Sequence, residues 1–311
     1  SANPWLGFLI DGLDARASYA TADGSTITTE NKSSTVDAGV GWTRTPEARD
    51  VGLVPAPARG LVRALLPGFL EDKVADARLR LTPERVSLGS SYFQQDSRVL
   101  RYERIVLSPE DEDAIATLRP RELLQLAADV RLRPFTPLTA DLRLLQVRDL
   151  LPPEKAAADP QVQRLIRDER ARWQGLDFGW ETARTLRTDV GYRPSLFSWL
   201  RTDFDWTSVY RSDRNTNFVD ESVIGTDTTV ALSRDARGQR DWGATVSLSP
   251  SALATTWFGA ASDDDNEDVA QLRSVLSAVR PLSATYRDGI TSRFNRDPVD
   301  PRFDYQFGFG G

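Results

Sequence analysis

The side chains that could do chemistry in this chain are carboxylates, guanidinium groups and hydroxyls. Its 311 residues include no histidine, no cysteine and no methionine. The sequence therefore excludes thiol nucleophiles, histidine-based catalytic triads, thiolate or imidazole metal sites and disulfides. The 45 acidic residues form many carboxylate pairs, but no pair is set apart by its surroundings. We therefore predict no catalytic residue, no cofactor and no enzyme activity.

One acidic run has the spacing of a metal-binding loop. It reads Asp263-Asp264-Asp265-Asn266-Glu267-Asp268, with oxygen ligands at alternate positions as in a calcium loop. A calcium loop of this kind requires glycine at its sixth position and a bidentate glutamate at its twelfth. Asp268 and Ser274 stand at those positions. The sequence therefore favours a solvated loop that caps a helix, and we predict no metal site.

Composition restricts the partners and the ways in which the chain could meet a membrane. The formal net charge is −6, which argues against nucleic acid because phosphate binding needs a basic face. A mean hydropathy of −0.41 suits a soluble protein or a membrane β-barrel, in which only alternate residues face lipid. The longest uncharged stretch, 242–262, contains Pro250 and many hydroxyl side chains, so we do not predict a transmembrane helix there.

The elements that must position the charged groups are predicted by a period of two in the sequence. Apolar and polar residues alternate in many segments, and side chains on a strand point to opposite faces in turn. We predict about 10–13 strands from the length of a membrane strand and its connection. The main alternating runs begin at Leu13, Val36, Leu124, Leu138, Leu200, Trp242, Leu282 and Phe303.

The alternation assigns the residues of each strand to one of two environments. The polar set could line a wet lumen, and the apolar set could face lipid. The alternative is a soluble sheet, with a solvated polar face and aromatic residues in a sandwich core. The predicted lumen-facing residues are Arg201, Asp203, Asp205, Asp141 and Arg143. The predicted lipid-facing residues are Leu142, Leu144, Phe204, Trp206 and Tyr210.

The predicted connections are of three kinds. Short ones contain proline, which presets φ and has no N–H to give a strand partner. Long polar ones are expected at 149–175, 211–226 and 263–268. Short amphipathic helices are expected near 58–71, 109–118, 160–174 and 266–279. The proline connections lie at Pro83, Pro134 to Pro137, Pro194 and Pro281.

Four stretches together resemble the SprA family of outer-membrane proteins, which serve gliding motility and type IX secretion. They read PWLGFLIDGLDARASYATADGSTITT, LRLTPERVSLGSSYFQQ, VRLRPFTPLTADLRLLQVRDLLPPE and GYRPSLFSWLRTDFDWTSVYRSDRN. The resemblance lies in the order of an apolar entry, a Ser/Thr-rich hairpin, proline-turn hairpins and amphipathic helices. It implies a very large single-chain barrel that forms a protein-conducting pore, of which 311 residues would supply an arc.

We therefore predict a mainly β chain, a single segment over residues 1–311, made of antiparallel up-and-down hairpins of an outer-membrane β-barrel. The expected function is passive protein transport. The expected partners are membrane lipid, secreted passengers, accessory translocon subunits and the remainder of a longer chain, since the lack of methionine suggests a fragment or a processed product.

Two alternatives stay open. One is a soluble surface-exposed β-domain for adhesion or scaffolding. The other is a small complete barrel, such as a porin, which requires pairing between the Leu13 strand and the Phe303 strand.

Overall fold

The computed structural model describes residues 10–26, 28–52, 78–102, 114–194, 197–224, 227–259, 267–297 and 301–309. Within these residues the chain is mainly strand. The strands are β1 Leu13–Ser25, β2 Thr29–Arg44, β3 Asp50–Gly52, β4 Arg78–Arg80, β5 Arg85–Tyr102, β6 Ala114–Leu118, β7 Arg121–Phe135, β8 Leu138–Asp149, β9 Arg172–Trp173, β10 Leu176–Asp177, β11 Trp180–Tyr192, β12 Leu200–Ile224, β13 Asp227–Leu248 and β14 Leu282–Asp297. The helices are α1 Pro153–Ala156, α2 Pro160–Glu169, α3 Pro250–Phe258, α4 Glu267–Ala278 and α5 Phe303–Gln306.

One antiparallel sheet contains most of these strands. Its order is β1-β2-β5-β7-β8-β11-β12-β13-β14, and β6 pairs with β5 beyond Arg121, the first residue of β7. Neighbours in space follow the order of the chain, with antiparallel pairing throughout. The mainly β, up-and-down architecture predicted from the sequence is therefore confirmed, and the sheet is open rather than closed.

The strands are staggered steadily across the sheet. Successive directly opposite residues are Leu13, Trp42, Leu88, Ala128, Leu144, Leu186, Tyr210, Gly238 and Ser292. The first residue of β1, Leu13, is thus level with Ser292, ten residues (292 − 282) after the start of β14 at Leu282. Ten residues correspond to a shift of about 33 Å along the strand direction, and the eight spacings between neighbouring strands correspond to about 38 Å across the sheet. The corresponding strand tilt is about 40°, within the range found in β-barrels.

The proline connections all lie on the same side of the sheet, where one set of strand ends meets; this side is called the proline edge. Pro83 precedes β5, Pro134 and Pro137 flank the β7–β8 turn, Pro194 precedes β12 and Pro281 precedes β14. Because β5, β8, β12 and β14 run in the same direction, the first residues of all four strands lie at the proline edge. Proline therefore ends or begins strands here without removing a hydrogen bond from the ladder.

Two of the predicted helices form, with changes at their ends. Helix α2 begins at Pro160, and the Asp159 carboxylate accepts a hydrogen bond from the Gln161 N–H at 2.8 Å. It ends at Glu169, so the prediction that the helix continues to 174 is wrong at this end, because Trp173 is exposed in β9. Helix α4 confirms the prediction near 266–279, although its proposed cap lies outside the described residues.

Two of the other predicted connections are wrong, and two lie outside the described residues. The expected helix near 109–118 is wrong over Ala114–Leu118, which pairs with β5 as strand β6. The expected helix at 58–71 and the acidic run at 263–266 lie outside the described residues. The expected loop at 211–226 is mostly a hairpin instead, because β12 and β13 continue as a mutually paired ribbon whose backbone groups satisfy one another.

The predicted last strand, from Phe303 to Phe309, is also wrong. Residues Phe303–Gln306 form helix α5, followed by a turn in which Gly308 has a φ of 80°. This segment lies on the sheet instead of extending it. Strands β1 and β14 occupy opposite edges of the described sheet. A small barrel closed between the Leu13 and Phe303 strands is therefore not this structure.

Two small hydrophobic clusters hold helix α2 and the last segment, residues 301–309, against the sheet. Val162 and Ile166 of α2 pack with Trp180 and Leu232, and the four side chains are 0–3% exposed. The second cluster joins Leu186, Tyr210 and Ala236 of the sheet to Tyr305 and Phe307 of the last segment.

Candidate functional site: the two faces of the sheet

The first face of the nine-strand sheet, called the apolar face, carries Leu13, Trp42, Leu88, Ala128, Leu144, Leu186, Tyr210, Gly238 and Ser292 and the residues of the same parity on each strand. Among the side chains that the structure describes on these nine strands, the exposed large hydrophobic ones all lie on it. They are Leu13, Tyr19, Val40, Leu88, Leu132, Leu144, Tyr192, Phe204, Trp242, Val246, Leu282, Tyr286, Ile290 and Phe294. Soluble monomers rarely leave so wide an apolar surface open to water.

The opposite face, called the polar face, carries arginine and aspartate in cross-strand ion pairs. The Asp129 carboxylate accepts from Arg85 at 2.9 Å and from Arg143 at 3.0 Å. Arg131 donates to Asp141 at 2.7 Å, directly across the β7–β8 pair. Each of these five charges therefore has a neighbour of opposite sign. Opposite charges on facing strands stabilise a sheet by up to about 1 kcal/mol per pair.

The same pattern continues onto β11 and β12. Asp189 lies directly opposite Asp141, which would be unfavourable for two bare carboxylates. Asp189 accepts instead from Arg187 at 2.7 Å and from the Thr207 hydroxyl at 3.0 Å. Arg193 donates to Asp203 at 2.8 Å at the proline edge. The polar face is thus a nearly neutral array of fixed dipoles across five strands.

The structure places the two predicted residue sets on opposite faces. Arg201, Asp203, Asp205, Asp141 and Arg143 share the polar face. Leu142, Leu144, Phe204, Trp206 and Tyr210 share the apolar face. Neither set surrounds a cavity of its own. What the structure brings together is two continuous surfaces, each extended by residues that the sequence alone did not single out, such as Asp129 and Leu88.

Two of the predicted lipid-facing residues lie under the last segment of the chain. Tyr210 is 0% exposed and meets the Tyr305 ring edge-on, with the ring centroids 6.1 Å apart. Trp206 stacks on Phe309 at 5.1 Å. Tyr210 therefore departs from the expectation of a lipid-facing side chain, because protein covers it. Phe204 and Leu144 remain exposed by 41% and 37%.

Two arginines hold the connection between β8 and β11, residues 150–179. Arg148 of β8 joins it to the sheet, and Arg170 joins its first residues to its last. Arg148 donates to the carbonyl oxygens of Phe178 and Gly179, both at 2.8 Å. Arg170, whose side chain is 7% exposed, donates to the carbonyl oxygens of Leu150 and Leu151 and to Asp177. The guanidinium groups thus supply donors to the carbonyl oxygens of Leu150, Leu151 and Phe178, and a second donor to the Gly179 carbonyl, which also accepts from the Ala171 N–H.

We expect this connection to loosen at low pH. Burial raises the pKa of the Asp177 carboxyl, but hydrogen bonds from the Gly179 N–H and from Arg170 outweigh it, and the pKa lies below its ordinary 3.8. A carboxylate with a lowered pKa stabilises the fold above its unfolded pKa, and this stabilisation is lost as pH falls through the folded value. Hydrogen exchange of residues 170–179, corrected for intrinsic rates, should accelerate below about pH 4. In Asp177→Asn the exchange should already be fast at neutral pH and should lose this component of the pH dependence. An equal pH response in both proteins would contradict the prediction.

Among the described residues, no three acidic side chains lie close enough together to hold a metal ion. None of the described helices has both the length and the apolar character needed to cross a bilayer. A scan of protein-family models finds no match to this chain, and a search of curated proteins finds none either. The SprA-like assignment therefore stays a prediction that depends on the stretches quoted above.

Proposed function

We propose that this chain is a wall segment of a large outer-membrane protein-conducting pore, with a passive role. The observation that carries the proposal is the separation of one apolar face from one polar, ion-paired face over nine consecutive strands. In a membrane barrel the first kind of face contacts lipid and the second lines a watery lumen. The chain needs no titrating or nucleophilic group for this role, which agrees with its lack of histidine and cysteine.

The stagger of the strands supports the same proposal. A tilt of about 40° is what a closed barrel requires and a flat sheet does not. Because the number of strands is odd and all neighbours are antiparallel, β1 and β14 run in the same direction. Closing the sheet with antiparallel pairs alone therefore needs an odd number of further strands between these two edges. The proposed partner at both edges is the rest of the pore.

The composition of the polar face suits passage of a protein. The pairs of Asp129 with Arg143 and of Arg131 with Asp141 leave little net charge of either sign. A surface with a strong field of one sign would hold passengers of the opposite charge, whereas conduction needs weak binding. We therefore propose that this face admits passengers without selecting them by charge.

The second candidate is a soluble adhesion or scaffolding domain. It is favoured by the two segments, α2 and α5, that cover part of the apolar face. It would require a further layer over the exposed residues from Leu13 to Leu144, and the described residues provide none there. We therefore rank it second.

Vesicle flotation distinguishes the two candidates. The full chain, refolded from detergent into vesicles of phosphatidylethanolamine and phosphatidylglycerol, is expected to float with the lipid and to stay bound after an alkaline wash. A chain that remains a soluble monomer without detergent, and that sediments away from the vesicles, would refute the wall proposal and support the soluble domain. Refolding without lipid serves as the control.

A further inference from the structure

The last described segment, residues 301–309, is called the strap, and it lies across β12, β13 and β14 on the apolar face. Its aromatic residues make ordered ring contacts. Phe309 stacks on Trp206 with ring planes 7° apart. Tyr305 meets Tyr210 edge-on, and it meets Phe294 edge-on with the centroids 5.0 Å apart. Through these two side chains the strap makes ring contacts with β12 and β14, on either side of β13.

The sheet is shaped to receive the strap. Beneath it the apolar face carries small side chains around the buried Tyr210, whereas the same rows on β5 and β8 carry leucines such as Leu88 and Leu144. A Cβ on Gly238 would lie 2.9 Å from the Tyr305 hydroxyl oxygen, which is too close. The residues that form this seat are Ser208, Ala236, Gly238 and Ser292. The seat is therefore a depression in a surface that is otherwise filled by large side chains.

Polar contacts fix the strap in one position. The Tyr305 and Ser292 hydroxyl oxygens are 2.7 Å apart. Arg240 donates from Nη1 to the carbonyl oxygen of Gly308 at 3.1 Å. Gln306 is 5% exposed, accepts from Arg184 at 3.4 Å and donates to the Pro301 carbonyl at 2.7 Å. Side chain and main chain of the strap are both recognised, as in a peptide complex.

We infer that the seat is a peptide-binding site, that its ligand is a segment with aromatic residues at alternate positions and a glycine before the last (Tyr-x-Phe-Gly-Phe), and that the strap is its resident ligand. The strap follows the end of β14 after residues 298–300, and it takes no part in the strand pairing of the sheet. It can therefore leave without breaking a ladder. A peptide of the same pattern can then make the same contacts from a separate molecule.

Hydrogen exchange tests whether the strap is held by the seat. The amides of Gln306, Phe307 and Gly308 donate within the strap and should be protected in the full chain. Gly238→Val fills the seat and should raise their exchange at least tenfold. The matched control is Gly41→Val, on a strand glycine whose Cβ would meet nothing within 4 Å. Tyr305→Ala, which alters the strap and leaves every strand unchanged, should give the same loss of protection. Unchanged protection in Tyr305→Ala would overturn the inference.

A titration tests whether the site accepts a separate peptide. The probe is a labelled peptide with the sequence of residues 301–309, PRFDYQFGF, and the control is a scrambled version. Wild type, whose seat is occupied, should bind it at least tenfold more weakly than the full-length variant Tyr305→Ala/Phe309→Ala, because only the strap-free fraction is competent. Adding Gly238→Val to that variant should abolish binding. Equal binding of the scrambled peptide, or no binding by the strap variant, would refute a peptide site while leaving the wall proposal untouched.

Discussion

Leu88→Arg is expected to remove most of the stable association of this chain with lipid vesicles. Leu88 lies on the apolar face of β5, the third of the nine strands, and is 49% exposed. An arginine on the lipid-facing side of a barrel costs about 2–4 kcal/mol at the bilayer midplane. That cost corresponds to roughly 30- to 1,000-fold in the insertion equilibrium. The measurement is the fraction of protein that floats with the vesicles after an alkaline wash.

Ser91→Arg is the matched control for this change. Ser91 lies on the same strand but on the polar face, opposite Gln125. A guanidinium group there lies among the existing arginines and aspartates and stays hydrated. Because lumen positions tolerate charge, we expect the floating fraction to stay within about twofold of wild type. An equal loss in both variants would show that neither face meets lipid preferentially, and the assignment of the faces would be wrong.

Trp180→Ala is expected to cause the largest loss of stability. The indole is 1% exposed and packs against Val162 and Ile166 of α2 and against Leu232. Truncating a fully buried tryptophan removes its transfer free energy and leaves a cavity, at a cost of about 3–5 kcal/mol. We expect α2 to separate from the sheet at lower denaturant concentration, which hydrogen exchange of residues 160–169 would report.

Trp173→Ala provides the comparison. Trp173 is 63% exposed in the β9–β10 hairpin, so the same substitution should change the free energy of unfolding by no more than about 0.5 kcal/mol. Similar losses from both substitutions would contradict the view that the connection between β8 and β11 is held by a packed core beneath α2.

Alternation predicted seven of the nine strands and their two faces, because the period of two is a direct consequence of backbone geometry. Strands β5 and β11 were not among the predicted runs. Leu142 and Asp141 could be sent to opposite faces from the sequence alone, and the structure agrees. Alternation was misleading at Phe303–Phe309, where aromatic residues at every second position form a helical turn with Gly308 at positive φ. Tyr305 and Phe307 pack against a cluster on another part of the chain, which a local pattern cannot reveal.

The partners within each face could not be predicted, since they depend on register. The ion pair of Arg143 with Asp129, rather than with Asp141 on its own strand, follows from the β7–β8 pairing. The polar ribbon at 211–224 was hidden for a different reason. Its serines, asparagines and charges are typical of loops, but pairing with β13 keeps it extended. Strand β11 pairs with β12 only as far as Asp213.

The tilt of the strands also sets the size of the opening to which the chain could contribute. At about 40° each strand takes up roughly 6.3 Å of perimeter, so nine strands supply about 56 Å. An aperture that passes a small folded domain about 30 Å across needs a backbone ring near 40 Å in diameter, or about 126 Å in perimeter. About 20 strands would be required for that ring. The sheet would then be a little under half of the smallest ring that passes a folded passenger, and a correspondingly smaller share of any wider one.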